Sequence, residues 1–156
     1  MRYLFLALLI FLSGCTTRSY KHTQEKIVIV KSKKLKFADI AYIRHNDADL
    51  ELELFVAGKA IEKISLNHLI CTNDGCMSKA RFNETFLYAN YPDTLLENVL
   101  LGKEIYKAKN RRVLEDGFEQ KIITSDIDIN YSVNSNIISF KDKKNRIIIK
   151  IKELKN

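Results

Sequence analysis

Hydrophobic and polar residues alternate with a period of two along most of the chain from Phe37 onward. This alternation predicts β-strands with one buried face and one face in water, which is typical of an antiparallel sheet. Short turns rich in Asn, Asp, Ser, Gly and Lys separate the apolar runs. The predicted strands are residues 37–44, 50–57, 60–66, 117–123, 127–133, 137–140 and 146–152.

The middle of the chain has helical spacing instead. Ser78 is placed to cap a first helix, on which Phe82 and Phe86 lie one turn apart. Pro92 favours the first turn of a second helix, and Gly102 favours its end. The order of strands, then one or two helices, then strands predicts an α+β fold with a mainly antiparallel sheet.

The first fifteen residues have the pattern of a secretory signal peptide. A short positive start precedes an apolar run over residues 3–12, which is too short to span a bilayer. The run ends in Leu12-Ser13-Gly14-Cys15, and this segment resembles the lipobox of bacterial lipoproteins. The resemblance implies that residues 1–14 are removed as a signal peptide and that Cys15 becomes the lipidated first residue.

The residue after Cys15 bears on the location. Thr16 stands where an Asp would retain lipoproteins at the inner membrane of enteric-type bacteria. The resemblance therefore implies a lipid anchor in the bacterial outer membrane with the domain facing the periplasm. The inner membrane and the cell surface are the alternatives.

The segment after Cys15 is polar and aperiodic in its first part. We expect residues 15–36 to form the lipidated N-terminus and a flexible tether. Residues 37–156 would then form a single β-rich domain. The chain has 156 residues, one Pro, five Gly and 46% hydrophobic residues, which is enough for one compact core and argues against a disordered chain.

The chain carries a formal net charge of +7, mostly from lysine. A basic chain often binds nucleic acid, but a secreted and anchored protein meets little of it, so no nucleic-acid partner is expected. Anionic lipid or glycolipid is the better partner class. The alternative is a compositional bias toward lysine that leaves only a solvated basic surface.

Cys71 and Cys76 flank the turn sequence Thr72-Asn73-Asp74-Gly75. In an oxidising compartment this pair is expected to form a disulfide that pins a local loop. Two alternatives remain at this point: unpaired or redox-active thiols, and a metal site in which His68 joins the two cysteines. No fourth ligand is evident for a metal.

We do not expect an enzyme, because no nucleophile signature and no glycine-rich phosphate loop is present. The acidic pairs at 51 and 53 and at 126 and 128 have strand spacing, which predicts a solvated face rather than a catalytic pair. Asn130 begins an Asn-Tyr-Ser glycosylation sequon, but it is predicted to lie in the middle of a strand, where acceptors are uncommon.

The order of a lipobox, a strand meander, a proline-led helix and closing hairpins resembles LolB-type outer-membrane lipoproteins. Residues 91–102 (YPDTLLENVLLG) are similar to that family's leucine-rich helix, and residues 117–122, 127–131 and 137–154 resemble its closing strands. The resemblance implies a strongly curved, half-barrel sheet with the helices as a lid over an apolar cavity for acyl chains.

On this interpretation the protein binds lipid or acyl chains, serves lipid or lipoprotein trafficking without covalent chemistry or cofactor, and has acyl-chain or lipoprotein cargo as its partner. The side chains expected to line the cavity are Leu52, Leu54, Val56, Leu96, Val99 and Leu100. Ordinary core packing explains the same residues equally well. The alternative function is therefore a structural or interaction lipoprotein of the envelope with a filled core and no ligand.

Overall fold

A computed structural model of the protein describes residues 20–154, so the predicted signal peptide and Cys15 lie outside the described residues. The described chain is mainly β, with eleven strands and two short helices, where the sequence predicted α+β. The strands are His22–Lys31 (β1), Lys36–His45 (β2), Leu50–Val56 (β3), Lys59–Leu66 (β4), Ile70–Thr72 (β5), Gly75–Met77 (β6), Arg111–Leu114 (β7), Gly117–Ile123 (β8), Asp128–Asn134 (β9), Ile137–Asp142 (β10) and Ile147–Glu153 (β11).

All eleven strands form one antiparallel sheet, which confirms the predicted sheet type. The first strand pairs with the last, so β1 and β11 lie side by side at its centre. The order is β6-β5-β4-β3-β2-β1-β11-β10-β9-β8-β7, and the described sheet is open, with β6 and β7 at its two edges. It therefore has an N-terminal half, β1–β6, and a C-terminal half, β7–β11.

One face of the sheet, which we call the inner face, carries the hydrophobic core. Alternate residues along each strand point to it, as in Val28 and Val30 of β1, because side chains alternate across a strand. The largest fully buried side chains include Tyr131, Phe140 and Leu52. The opposite, outer face carries most of the charged residues.

Residues 78–110 cross the inner face between the two halves, and we call them the cover. They contain the helices Lys79–Phe86 (α1) and Leu95–Leu100 (α2) and a short 3₁₀ turn, Tyr106–Ala108. Ser78 caps α1 as predicted, because its side chain accepts a hydrogen bond from the amide of Arg81 at 3.2 Å. The second helix begins three residues later than the predicted start at Pro92.

The strand β1 shows that the predicted tether over residues 15–36 is wrong from His22 onward. Its first residues are polar and hide the alternation, but they still pair with β2 along their whole length. Lys26 points inward and is almost fully buried, because its ammonium group pairs with Glu153 of β11. The sheet therefore includes residues before Phe37, from His22 onward.

The alternation also fails to predict three short strands. β5 and β6 flank the cysteine turn, and β7 lies in the charged segment between the helices and the closing strands. Each has only three or four residues and lies at or next to an edge of the sheet, and so short a strand shows no period. The seven predicted strands are present, with ends shifted by at most two residues.

Candidate functional site

A cleft of about 600 Å³ opens at one end of the sheet, between the N-terminal half and the cover. The β2–β3 turn, the start of β3 and the end of β4 line its sheet side. Lys79 of α1, Glu97 of α2 and Leu101 line its cover side. We call it the seam cleft. Its volume is in the range of sites that bind small molecules.

The seam cleft has an aliphatic floor and a polar rim. Leu50 and Leu66 face each other across β3 and β4, and both are buried beneath the cleft. At the rim, the ammonium of Lys79 lies 3.5 Å from the carboxylate of Glu97. Lys103 contributes a further positive charge. This arrangement suits an amphipathic molecule, with its chain on the floor and its polar group at the rim.

The β2–β3 turn that borders the seam cleft is held by its own side chain. Asn46 Oδ1 accepts hydrogen bonds from the amides of Ala48 and Asp49, both at 2.8 Å. The amide of Asn46 donates to the carbonyl of Asp49 at 3.0 Å. This is the turn chemistry typical of Asn, and it gives the cleft a preformed border.

Two histidines stack at the same end of the inner face. His22 of β1 and His45 of β2 are a register pair, and their ring centroids lie 4.8 Å apart. Burial, followed by the nearby His22 and Lys103, lowers the pKa of His45 below its ordinary value. His45 therefore keeps its neutral form to lower pH than a free histidine does.

A second, smaller cleft of about 230 Å³ lies on the other side of Leu101. It is bordered by the β9–β10 turn and shares His45 and Leu101 with the seam cleft. Both clefts lie at the end of the sheet where β1 begins. Leu101 stands between them.

Buried hydrogen bonds fix the cover to the C-terminal half. Tyr91 Oη donates to Asp142 Oδ2 at 2.7 Å, and Asn145 Nδ2 donates to the same oxygen at 2.7 Å. Burial works to raise the pKa of Asp142, but hydrogen bonds from Asn145, Tyr91 and backbone amides hold it below its usual range. Asp142 thus stays ionised although it is fully buried. Burial and the Asp142 charge raise the pKa of Tyr91 far above the ordinary value.

Gln120 of β8 fastens the last part of the cover. Its side chain accepts from the amide of Ile105 and donates to the carbonyls of Ile105 and Lys109, at 2.8 to 2.9 Å. Between these points all three residues of the 3₁₀ turn have φ of 48° to 59°. Left-handed backbone costs about 1–2 kcal/mol per residue for non-glycine residues. The Gln120 bonds offset part of that cost.

Tyr131 of β9 adds a third attachment. Its hydroxyl donates to the carbonyl of Lys103 at 2.9 Å, and burial raises its pKa. The nearby Gly102 has φ of +64°, and a Cβ added there would lie 3.2 Å from Ile138. Glycine at this position therefore lets the end of α2 lie close to β10.

Five of the six predicted cavity residues are buried between the sheet and the cover. These are Leu52 and Leu54 on β3 and Leu96, Val99 and Leu100 on α2. The sixth, Val56, is 45% exposed and does not join them. A β-bulge between Leu54 and Phe55 shifts the register, so the alternation that placed Val56 on the inner face breaks there.

The predicted disulfide between Cys71 and Cys76 is confirmed. The two residues are a register pair of the β5–β6 hairpin, so the bridge joins the edge strand β6 to its neighbour β5. Because both sulfurs are bonded to each other, neither is a thiolate ligand for the metal site proposed with His68. Within residues 20–154 no three His, Cys, Asp or Glu side chains are grouped to hold a metal.

The remaining predicted sites lie on the outer face. Asn130 is in the middle of β9, paired with Lys141 of β10. Glu51 corrects the prediction of a solvated acidic face, because it is only 3% exposed. It accepts bonds from Arg44 at 3.0 Å and Lys63 at 2.8 Å, which neutralise the carboxylate. Nothing in the strand pattern shows this burial.

The sequence pattern did not indicate the seam cleft or its borders. The only sequence signal near it is the change from strand to helical spacing at residue 78, which places helices against the sheet. The chain matches no family model and no curated protein. In the part of the chain that is described, no helix has the length and apolarity needed to cross a bilayer.

Proposed function

We propose that this protein is a lipid-anchored envelope protein that binds an acyl chain between its sheet and its cover. Cys15 is the anchor, in the outer membrane with the domain in the periplasm. The open sheet acts as a curved half-barrel, and the cover acts as its lid. The bound molecule is a lipid or the acylated end of a lipoprotein, and no bond is made or broken.

The observation that best supports this proposal is that the cover is attached differently to the two halves of the sheet. Toward the C-terminal half it is held by the buried bonds of Tyr91, Gln120 and Tyr131. Toward the N-terminal half it rests on apolar contacts, where Phe82 shares a gap of about 40 Å³ with Leu35 and Ile64. The start of α1 stays joined to β6 through Ser78, but the α2 part of a cover held in this way can separate from the N-terminal half while it stays fixed to the C-terminal half.

The chemistry of the separating surfaces supports an acyl ligand. The side that α2 presents to the sheet is wholly aliphatic, with Leu95, Leu96, Val99 and Leu100 all buried. Each methylene of a ligand that replaces these contacts gains about 0.8 kcal/mol from leaving water. The seam cleft supplies an entry point with an aliphatic floor, and its rim can bind the polar end of the molecule.

The proposed entry also lies near the proposed anchor. The seam cleft opens at the end of the sheet where β1 begins, and His22 is seven residues after Cys15. Seven extended residues span at most about 25 Å. The opening is therefore held near the membrane from which a lipid would come.

Native mass spectrometry of the chain from residue 15 onward, with Cys15→Ser so that no acyl group is attached, tests the acyl ligand. We expect bound lipid, and we expect Leu101→Trp to remove it because the indole fills the space between the two clefts. Ile61→Trp is the matched control, since Ile61 is 49% exposed on β4. Lipid-free protein, or equal lipid on both variants, would contradict the proposal.

The anchor needs its own test. Cells fed labelled palmitate should incorporate the label into the wild-type protein and not into Cys15→Ser. The substituted protein should also leave the membrane fraction. If both forms fractionate alike and neither carries label, the anchor is wrong whatever the mass spectrum of the domain shows.

A second candidate is a structural or interaction lipoprotein with a filled core. It is favoured by one observation: the aliphatic interior is closely packed, and the gap beside Phe82 holds only about 40 Å³. Such a protein would carry no lipid. The mass spectrum therefore separates the two candidates, because only the first predicts a bound acyl chain.

A further inference from the structure

The outer face of the central strands combines aliphatic side chains with lysines. Ile27 and Ile29 of β1 lie beside Ile40 of β2, and Ile148 lies on β11, and all four are half-buried. Five lysines lie within or at the ends of the same cross-strand rows. We call this surface the lysine-rimmed face, and its lysines are Lys31, Lys36, Lys141, Lys150 and Lys152.

The strand register places these residues on one surface. Ile27 is directly opposite Lys152, and Ile29 is directly opposite Lys150. In a sheet, side chains of paired residues point to the same face about 4.5–5.5 Å apart. The aliphatic patch and its lysines are therefore contiguous, with ammonium groups within reach of its border.

The positive charge of the lysine-rimmed face is not neutralised from within the domain. Among residues 20–154, none of its five lysines forms an ion pair, whereas Lys26 and Lys63 do. The two turns at its end add Lys33, Lys34 and Arg146, which are exposed. Residues 143–146 of the β10–β11 turn include no carboxylate, and Asp142 at the end of β10 points inward and accepts a hydrogen bond from Tyr91.

The chain that leads to Cys15 starts from the same side of the sheet. Tyr20 Oη donates to Glu51 Oε2 at 2.8 Å, and Glu51 lies on the outer face of β3. Cys15 is five residues before Tyr20, and five residues span at most about 18 Å. An anchor at Cys15 thus holds the outer face close to the membrane.

We propose that the lysine-rimmed face docks on a membrane surface that carries anionic phospholipid headgroups. The lysines bind the phosphates, and the isoleucines contact the boundary between headgroups and acyl chains. Long lysine side chains over an aliphatic patch are suited to this boundary. The contact lays β1 along the membrane and leaves the seam cleft open at the side. In the cell, this docking rests on the proposed anchor at Cys15, which holds the domain at a membrane.

Vesicle sedimentation of the acyl-free chain, residue 15 onward with Cys15→Ser, tests the docking. The protein should bind vesicles with 30% phosphatidylglycerol and should not bind pure phosphatidylcholine vesicles. Salt at 0.5 M should release it, because the attraction is between exposed charges. Since the anchor is absent from this protein, the result does not depend on whether Cys15 is acylated in cells.

A pair of charge-matched variants locates the contact. Lys150→Gln with Lys152→Gln should weaken vesicle binding by about tenfold or more, since each such lysine contributes about 1 kcal/mol near an anionic surface. Lys107→Gln with Lys109→Gln removes the same charge from the cover and should change binding less than twofold. Equal weakening by both pairs would show a net-charge effect and overturn the assignment.

Two further outcomes would overturn the proposal itself. One is no binding to anionic vesicles at low salt. The other is binding to soluble polyglutamate that exceeds binding to vesicles, which would indicate an acidic protein partner instead. If the acyl-free chain with all its lysines carries lipid in the mass spectrum but does not bind anionic vesicles, the docking is rejected and the proposed function is left intact.

Discussion

The two halves of the sheet hold the same cover in different ways. The C-terminal half binds it with buried polar groups on three strands, through Gln120, Tyr131 and Asp142. The N-terminal half meets it with aliphatic and aromatic side chains, and the polar residues of the cover nearby, Lys79 and Glu97, pair with each other. A buried polar bond is lost at a specific cost when its partner leaves, whereas apolar surfaces can exchange one apolar partner for another.

This difference separates a fixed edge of the cover from an exchangeable one. Substitutions at the fixed edge should lower the free energy of unfolding, because they leave buried polar groups without partners. Substitutions at the seam cleft should change ligand binding more than stability.

The largest effect is expected from Asp142→Ala. The fully buried carboxylate accepts bonds from Tyr91, from Asn145 and from backbone amides, and all of these lose their acceptor. The free energy of unfolding, measured by urea denaturation, should fall by about 3 kcal/mol or more. Asp126→Ala, at an exposed position in the β8–β9 turn, should change it by less than about 0.5 kcal/mol. Similar falls in the free energy of unfolding in both variants would show that Asp142 does not fix the cover to the C-terminal half.

Gln120→Leu should have the next largest effect. It leaves the amide of Ile105 and two carbonyls unpaired around a left-handed turn, so the free energy of unfolding should fall by about 2–3 kcal/mol. Hydrogen exchange should increase over residues 103–110. Lys121→Leu, on the same strand but the opposite face, is the control and should leave both measurements nearly unchanged. If Gln120→Leu is as stable as the wild-type protein and shows wild-type hydrogen exchange, the hydrogen bonds of Gln120 do not hold the cover.

Tyr91→Phe should have a smaller effect. Asp142 keeps its bonds to Asn145 and to backbone amides, so a single hydrogen bond is lost, at about 1–2 kcal/mol. Tyr88→Phe, on the neighbouring half-buried tyrosine, is the control. Equal destabilisation by the two would mean that the hydroxyl of Tyr91 has no special role.

The smallest effect is expected from pH at the seam cleft. The folded-state pKa of His45 is below the ordinary value of 6.5, so protonation favours the unfolded chain. Thermal stability should decrease as pH falls through about 6.5, and His45→Gln should remove this step. A second decrease below about pH 4 should remain in both proteins, since the pKa values of Asp142 and Glu51 are also lowered. If the decrease near pH 6.5 persists in His45→Gln, a group other than His45 causes it.

The sequence predicted those features that depend on neighbours along the chain. Strand alternation, the Ser78 cap and the Cys71–Cys76 hairpin are of this kind. It did not predict β1, whose one buried polar residue, Lys26, has its charge partner Glu153 on β11 at the other end of the chain. The burial of Glu51 and the hydrogen bonds of Gln120 likewise depend on partners 7 to 31 residues away. A local pattern of hydrophobic and polar residues does not show such partners. The seam cleft also lies between segments that are distant in the sequence, the β2–β3 turn and the cover.

The central claim is that an acyl chain binds between the sheet and the cover. The most direct test of it is photo-crosslinking with a fatty acid that carries a diazirine on its chain, followed by peptide mapping. If the acyl chain enters at the seam, label should appear on peptides that contain Leu50, Leu66 and Leu101. The peptides of β7 and β8 should stay unlabelled. Label confined to the outer face, or absent altogether, would contradict an acyl site between the sheet and the cover.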